Sequence, residues 1–164
     1  MVAAKLAPDI AAQLGRVPTS RDRSFLYAPC RVELKSGETL PRVYLVEEAS
    51  YLRQWGNDPD RSMVDIADVL AVENSADRLP AQLADQVYEA GESGMGYVVF
   101  TVQLRDGRSI PFSTGNAVDF LDWPSDVNPS EAVAVEPHIG REFFVHPDGG
   151  GRHGADYKWC LYSR

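Results

Sequence analysis

The sequence has few of the residue types on which local metal and redox motifs depend. Among its 164 residues are 2 cysteines and 3 histidines, and neither Cys30 nor Cys160 has the CxxC neighbour of a zinc ribbon or thioredoxin-type motif. No apolar run approaches the roughly 18 residues that a membrane-spanning helix needs. Basic residues are also scarce, 16 against 24 acidic ones, which disfavours direct nucleic-acid binding because phosphate contacts need a basic face.

The rest of the composition is that of an ordinary globular chain. Hydrophobic residues make up 44% and charged residues 24% of the sequence, which excludes wholesale disorder, and the formal net charge is −8. Residues 1–15 hold no apolar stretch of the length that a secretory signal requires. We therefore expect a cytoplasmic protein without a membrane anchor, in which both cysteines are reduced, buried and unreactive.

An internal repeat is the most informative pattern in the sequence. Residues 32–41 (VELKSGETLP) align without gaps with residues 102–111 (VQLRDGRSIP). In both, apolar and polar residues alternate around a Ser-Gly or Asp-Gly pair, which is typical of a β-hairpin with a tight turn.

Two further matches follow in the same order. Three apolar residues spaced by three, typical of one face of a short helix, are Ala49, Leu52 and Trp55 in the first copy and Ala117, Phe120 and Trp123 in the second. Residues 68–73 then match residues 131–136 as a strand. The sequence therefore predicts a duplicated strand–turn–strand–helix–strand unit, whose copies either pack on each other or form small SH3-like barrels.

Two helices lie outside the matched segments. Residues 78–91 carry apolar side chains at every fourth position, and Gly91 is suited to end that helix. A shorter helix is expected over residues 8–14, ending at Gly15. Beyond the second copy, residues 142–146 and 156–162 have the composition of strands and are expected to form a C-terminal hairpin.

The predicted fold is therefore α+β and mainly antiparallel β. Its expected segments are an N-terminal helix and connector (1–24), a first β-rich repeat (25–75), a linking helix and glycine-rich loop (76–96), a second β-rich repeat (97–137) and a C-terminal hairpin (138–164). We expect these segments to form one compact globular unit.

The glycine-rich segment 91–96 (GESGMG) has two catalytic interpretations, and both fail on local structure. A nucleophile elbow needs the serine between a strand and a helix, but here the helix comes first. A phosphate-binding loop needs glycines before a helix N-terminus, but here a strand follows. We expect a flexible connection between a helix and a strand.

One group of residues has metal-ligating chemistry, in and beside the glycine-rich loop 147–155. It consists of His146, Asp148, His153 and Asp156. Two imidazoles and two carboxylates can bind a divalent cation, but their spacing matches no ligand template and the glycines disfavour a preformed site. Solvent-exposed loop residues are the simpler interpretation.

Sparse catalytic residue types and strong acidity favour a non-enzymatic binding protein without a cofactor. We expect it to bind another protein with a basic surface, as an inhibitor, an immunity-type protein or an adaptor. The candidate binding residues are carboxylates in repeat loops and ends: Glu47, Glu48, Asp58, Asp60, Asp119, Asp122 and Asp126. The alternative is a small-ligand-binding protein or metal-assisted enzyme with its site between the repeats, near the 146–156 loop.

Overall fold

The computed structural model describes residues 3–57, 61–140 and 151–164. Over these residues the chain forms three α-helices and ten strands in two sheets, which confirms an α+β fold. It divides into two compact units. Unit 1 comprises Met1–Ala76 and Asp156–Arg164, and unit 2 comprises Asp77–Ala155.

The elements follow one another along the chain as listed here. They are α1 (Pro8–Leu14), β1 (Ser20–Asp22), β2 (Phe25–Leu34), β3 (Thr39–Glu47), α2 (Glu48–Trp55), β4 (Met63–Asp65), β5 (Val69–Asn74), α3 (Ala81–Ala90), β6 (Val98–Leu104), β7 (Ser109–Thr114), β8 (Ala132–His138), β9 (Arg152–His153) and β10 (Lys158–Tyr162). The helices predicted before Gly15 and before Gly91 are both confirmed.

Unit 1 is a mixed sheet in the order β1-β2-β3-β10-β4, with β5 also paired to β2. Strand β10 runs parallel to both β3 and β4. Because side chains alternate along a strand, neighbouring residues of β3 enter different cores. Val43 and Leu45 join an aliphatic core that includes Ile10 of α1. Tyr44 contacts the aromatic ring of Trp159.

Unit 2 is a four-stranded sheet in the order β8-β6-β7-β9, with α3 packed against β8. Strands β6, β7 and β8 pair in antiparallel fashion, whereas β9 runs parallel to β7. Phe100 and Phe112 lie opposite each other on β6 and β7 and stack with ring centroids 6.0 Å apart. Both side chains are fully buried.

The two sheets share one pattern of strand pairing. The order β5-β2-β3-β10 in unit 1 corresponds to β8-β6-β7-β9 in unit 2, with the same sense at each pairing. The β2–β3 hairpin and the β6–β7 hairpin each turn at a glycine with positive φ, Gly37 at +92° and Gly107 at +95°. A 3₁₀ turn precedes both β5 and β8. Both hairpins that the sequence predicted are therefore present.

The predicted short helix occurs in unit 1 only. Residues 48–55 form α2, but residues 115–123 have no helix. In unit 2 the Asp119 carbonyl instead accepts a hydrogen bond from the Leu79 N–H at 2.7 Å, and Phe120 forms an antiparallel bridge with Arg78. These extended pairings satisfy the backbone groups that a helix would have used, so the prediction of a helix here was wrong.

The C-terminal segment also differs from expectation. One arm of the predicted hairpin, residues 142–146, lies outside the described residues. The other arm forms β10 and pairs in parallel with β3 and β4, so the sheets are mixed rather than purely antiparallel. Strand β10 takes this position because its neighbouring residues Trp159 and Cys160 are both buried, one in the aromatic and one in the aliphatic core.

Candidate functional site

The seven carboxylates predicted as binding residues lie in different environments. Glu47 and Glu48, at the junction of β3 and α2, are half-buried and engaged within unit 1. Glu47 forms an ion pair with Arg164 at 2.6 Å, and Glu48 accepts a hydrogen bond from the Ala3 N–H at 2.6 Å. Asp58 and Asp60 lie outside the described residues.

Asp119 is buried rather than exposed. Its relative exposure is 0%, and it accepts a hydrogen bond from the Tyr88 hydroxyl and lies 3.9 Å from the Arg78 guanidinium. The Tyr88 oxygen accepts in turn from the Val118 N–H at 2.9 Å. A carboxylate removed from solvent in this way cannot contact a partner, so its selection as a surface residue was wrong. Its position is that of a structural ion pair.

Asp122 and Asp126 are exposed, but each has an arginine partner within unit 2. Asp122 pairs with Arg152 at 3.3 Å and Asp126 with Arg108 at 2.9 Å. Arg108 also binds Asp106 in the second hairpin, where its backbone N–H and guanidinium hold the pKa of that carboxyl below the usual value. Exposed pairs of this kind are weak and exchange readily with water.

The net charge is distributed unequally between the two units. Unit 1 contains 12 acidic and 11 basic residues, a net charge of −1, whereas unit 2 contains 12 acidic and 5 basic residues, a net charge of −7. Unit 2 thus carries almost all of the acidity of the chain. Its field attracts cationic groups over about one Debye length, roughly 8 Å at physiological ionic strength.

One pair of equivalent positions shows how this asymmetry arises. In unit 1, Glu73 on β5 lies opposite Arg31 on β2 and forms an ion pair with it at 2.9 Å. In unit 2, Glu136 on β8 lies opposite Thr101 on β6. Within the described ranges, Glu136 has no ion-pair partner. The same fold position is therefore neutralised in unit 1 and negatively charged in unit 2.

Three carboxylates of unit 2 that the sequence analysis did not select also lie at the surface. Glu89, Glu92 and Glu136 are exposed, and no arginine, lysine or histidine of the described residues forms an ion pair with them. Glu92 accepts only a long hydrogen bond, 3.4 Å, from the Gly96 N–H. Glu89 and Glu92 lie beside or within the GESGMG segment, and Glu136 lies on the edge strand β8. Turns and edge strands are commonly exposed, so these positions could have been selected from the sequence.

The structure describes two of the four residues predicted to bind a metal. His153 is exposed on β9 of unit 2, whereas Asp156 belongs to unit 1. His146 and Asp148 lie outside the described residues. Over residues 3–57, 61–140 and 151–164, no three histidine, cysteine or acidic side chains are grouped as a metal site requires.

Unit 1 contains an open cleft of about 500 Å³ between the beginnings of β3 and β10. Its lining combines two cations, a carboxylate and two hydroxyls with apolar surface: Leu40, Pro41, Arg42, Ser62, Asp156, Tyr157 and Lys158. Arg42 Nε donates to the Asp156 carbonyl at 2.6 Å, and Lys158 Nζ donates to the Ser62 hydroxyl at 3.0 Å. These groups suit a small anionic ligand.

Both cysteines are free and buried, as predicted. Desolvation in the sheet, together with the charge of Asp65, raises the pKa of the Cys160 thiol to about 12. Because the thiolate is the reactive form of cysteine, this residue is not a nucleophile at neutral pH.

Comparison with protein families, curated sequences and solved structures finds no match to this chain. Across the part of the chain that the structure describes, no helix has both the length and the apolar character to span a membrane. A functional hypothesis therefore depends on the charge and geometry of the two units.

Proposed function

We propose that this protein is a non-enzymatic binding protein that engages a basic protein partner through the acidic surface of unit 2. The observation that carries the proposal is the charge division, −7 on unit 2 against −1 on unit 1. Acidity needed only for solubility would have no reason to be confined to one of two units with the same strand order. An inhibitor, an immunity-type protein or an adaptor would use such a surface.

The proposed contact residues are Glu89, Glu92 and Glu136, and Asp122 and Asp126 elsewhere on unit 2 add to its negative field. Among the residues that the structure describes, the first three have no ion pair to break before a partner's lysine or arginine approaches. Asp122 and Asp126 can exchange their exposed arginine partners for a partner's cation at small cost. Complementary fields of this kind act before contact, so they raise the association rate more than they lower the dissociation rate.

The test is binding kinetics with a partner captured from the native host. Carbodiimide coupling, which joins a carboxylate to a lysine directly, identifies the contacting residues. We expect a Glu89→Gln/Glu136→Gln variant to associate several-fold more slowly at low salt. The matched control is Glu38→Gln/Glu73→Gln, which removes the same charge from exposed positions of unit 1. Equal rates for both variants, or rates independent of salt, would refute the proposal.

A second variant transfers the unit 1 arrangement into unit 2. Thr101→Arg places an arginine opposite Glu136, as Arg31 lies opposite Glu73. We expect this substitution to slow association without removing any carboxylate. Because the added charge is local, the same change tests whether the partner binds near β8.

The unit 1 cleft supports a second candidate function, the binding of a small anionic ligand. Arg42 and Lys158 supply the positive charge, and the Lys158 ammonium has one hydrogen bond to Ser62 within the described residues. Inorganic phosphate or a dicarboxylate such as succinate would serve as the probe in calorimetry. Binding that is lost in Lys158→Gln but retained in Lys5→Gln would favour this function.

We further propose that the two units arose by duplication of one segment. Support comes from the shared strand order, the matched glycine turns and equivalent backbone bonds, Lys35 N–H to Asp68 O and Arg105 N–H to Glu131 O. The packing of α1 on β5 parallels that of α3 on β8. The two reduced thiols suit the cytoplasm expected from the sequence.

A further inference from the structure

The GESGMG segment forms a tightly hydrogen-bonded turn rather than the flexible connection expected from its glycines. The Ser93 N–H donates to the Tyr97 carbonyl at 3.0 Å, and the buried Ser93 hydroxyl accepts from the Val99 N–H at 2.6 Å. Gly96 has a φ of +80°, which favours glycine. A Cβ at Gly94 would lie 2.3 Å from the Tyr97 ring, so the ring lies directly against this glycine.

This turn holds a large apolar side chain in solvent. Met95, at the tip, is 98% exposed. A second apolar side chain, Ile139, is 86% exposed in the turn that follows β8. The Gly140 N–H donates to the Ser93 carbonyl at 2.9 Å, which joins the two turns. Fixed backbones that expose two such side chains are typical of interaction sites, since apolar surface gains free energy when a partner covers it.

Carboxylates flank both apolar side chains in the sequence. Glu92 lies three residues before Met95 and its carboxylate accepts from the Gly96 N–H of the same turn. Glu136 lies three residues before Ile139. A lipid surface carrying anionic headgroups would be repelled by these charges, whereas a protein pocket bordered by lysine or arginine would be attracted.

We propose that Met95 and Ile139 insert into an apolar pocket, bordered by basic residues, on the protein partner of unit 2. This inference rests on the proposed function and names the part of unit 2 that makes direct contact. The rigid turn reduces the conformational entropy lost on binding. The apolar pair supplies contact free energy, and the carboxylates around it supply orientation and association rate.

The test is a differential selection from a library of random peptides displayed on phage. The library is panned on the wild-type protein and depleted on a Met95→Ser variant. We expect the enriched peptides to combine apolar residues with lysine or arginine. Their affinity should fall at least about tenfold for Met95→Ser and for Ile139→Ser, because each change removes an apolar contact that binding would bury. Leu70→Ser, an exposed apolar position in unit 1, should bind them unchanged.

The outcomes separate this inference from the proposed function. Basic peptides that bind in a salt-dependent manner and lose affinity in Glu136→Gln, but not in Met95→Ser, would overturn the inference and retain the proposed function. Met95-dependent peptides without basic residues would refute the basic partner itself. If no peptide binds the wild-type protein better than the Met95→Ser variant, the inference is overturned.

Two further measurements address other occupants of the same surface. Sedimentation of wild-type protein as a dimer, with Met95→Ser as a monomer, would assign the surface to a second copy of the chain. Met95-dependent binding to phosphatidylcholine vesicles would assign it to a lipid surface. Either result would overturn the inference. Because Met95 is almost fully exposed, its substitution leaves the fold intact and these comparisons interpretable.

Discussion

Unit 1 and unit 2 share a strand order but differ in chemistry. Unit 1 is nearly neutral and buries a cluster of tyrosine and tryptophan rings around Trp159. Unit 2 is strongly acidic, and its described residues bury phenylalanines and the ion pair of Arg78 with Asp119. Turn glycines, strand alternation and 3₁₀ turns are common to both. These shared features are enough to specify the strand pairing, whereas the surface residues of the two units are free to differ in charge.

The largest expected effect comes from breaking the buried ion pair of unit 2. Asp119→Ala would leave the buried Arg78 guanidinium without its carboxylate and remove the acceptor of the Tyr88 hydroxyl. We expect the free energy of unfolding to fall by roughly 3–5 kcal/mol. Denaturant unfolding measures the loss, and hydrogen exchange should locate it in α3, which carries Tyr88, and at the Leu79 amide.

The control for this prediction is Asp122→Ala, which breaks an exposed ion pair in the same unit. That change should cost less than about 1 kcal/mol. Similar losses for the two variants would show that the buried Asp119 ion pair contributes no more to the free energy of unfolding than an exposed one.

The next effect concerns pH and the buried thiol of unit 1. The Cys160 pKa is raised from 9.0 to about 12, so the folded protein keeps a proton that the unfolded chain releases. Its contribution to stability is complete below pH 9 and is lost as the pH rises toward 12. Relative to Cys160→Ala, the wild-type free energy of unfolding should fall by about 1.4 kcal/mol per pH unit in this window. Parallel curves for the two proteins would contradict the prediction.

The matched glycine turns offer the most direct test of equivalence between the units. Gly37→Ala and Gly107→Ala each force a side chain into a conformation with φ above +90°. Each change should lower the free energy of unfolding by about 1–2 kcal/mol. We expect equal costs, measured by thermal unfolding of both variants. A large difference would mean that the two turns are only superficially alike.

The smallest effect concerns an edge of unit 1. The Gln13 side chain of α1 accepts a hydrogen bond from the Val72 N–H of β5 at 2.8 Å. Gln13→Ala would remove that acceptor and lower the free energy of unfolding by about 1 kcal/mol. Hydrogen exchange at the Val72 amide gives the site-specific measurement, and Gln54→Ala, at an exposed position of α2, is the control. Unchanged exchange would show that water replaces the glutamine without loss.

Local patterns predicted local structure well. The helices ending at Gly15 and Gly91 and both hairpins follow from apolar spacing and turn glycines, which act within a few residues. The short helix expected at Ala117, Phe120 and Trp123 failed because the backbone of that segment pairs with residues 78–79, a contact that spacing does not encode. The parallel pairing of β10 with β3 was missed for the same reason, since it joins residues more than 100 positions apart.

The candidate site was harder to predict than the fold. Asp119 appeared to be a surface carboxylate because aspartate is seldom buried, and only the positions of Arg78 and Tyr88 explain its burial. Glu89, Glu92 and Glu136 were overlooked because the linear sequence does not show which carboxylates lie opposite an arginine in the fold. Met95 was dismissed with its glycines, although the hydrogen bonds of Ser93 give that turn a fixed shape.

The position of β10 has a consequence for the order in which this protein forms during translation. The ribosome produces the N-terminal strands of unit 1 first, then all of unit 2, and only afterwards residues 158–162. Unit 2 can therefore complete its sheet while unit 1 still lacks the strand between β3 and β4 and the central ring of Trp159. Until that strand emerges, the edges of β3 and β4 are open to intermolecular pairing. The sheet of unit 2 is thus complete along the chain before that of unit 1.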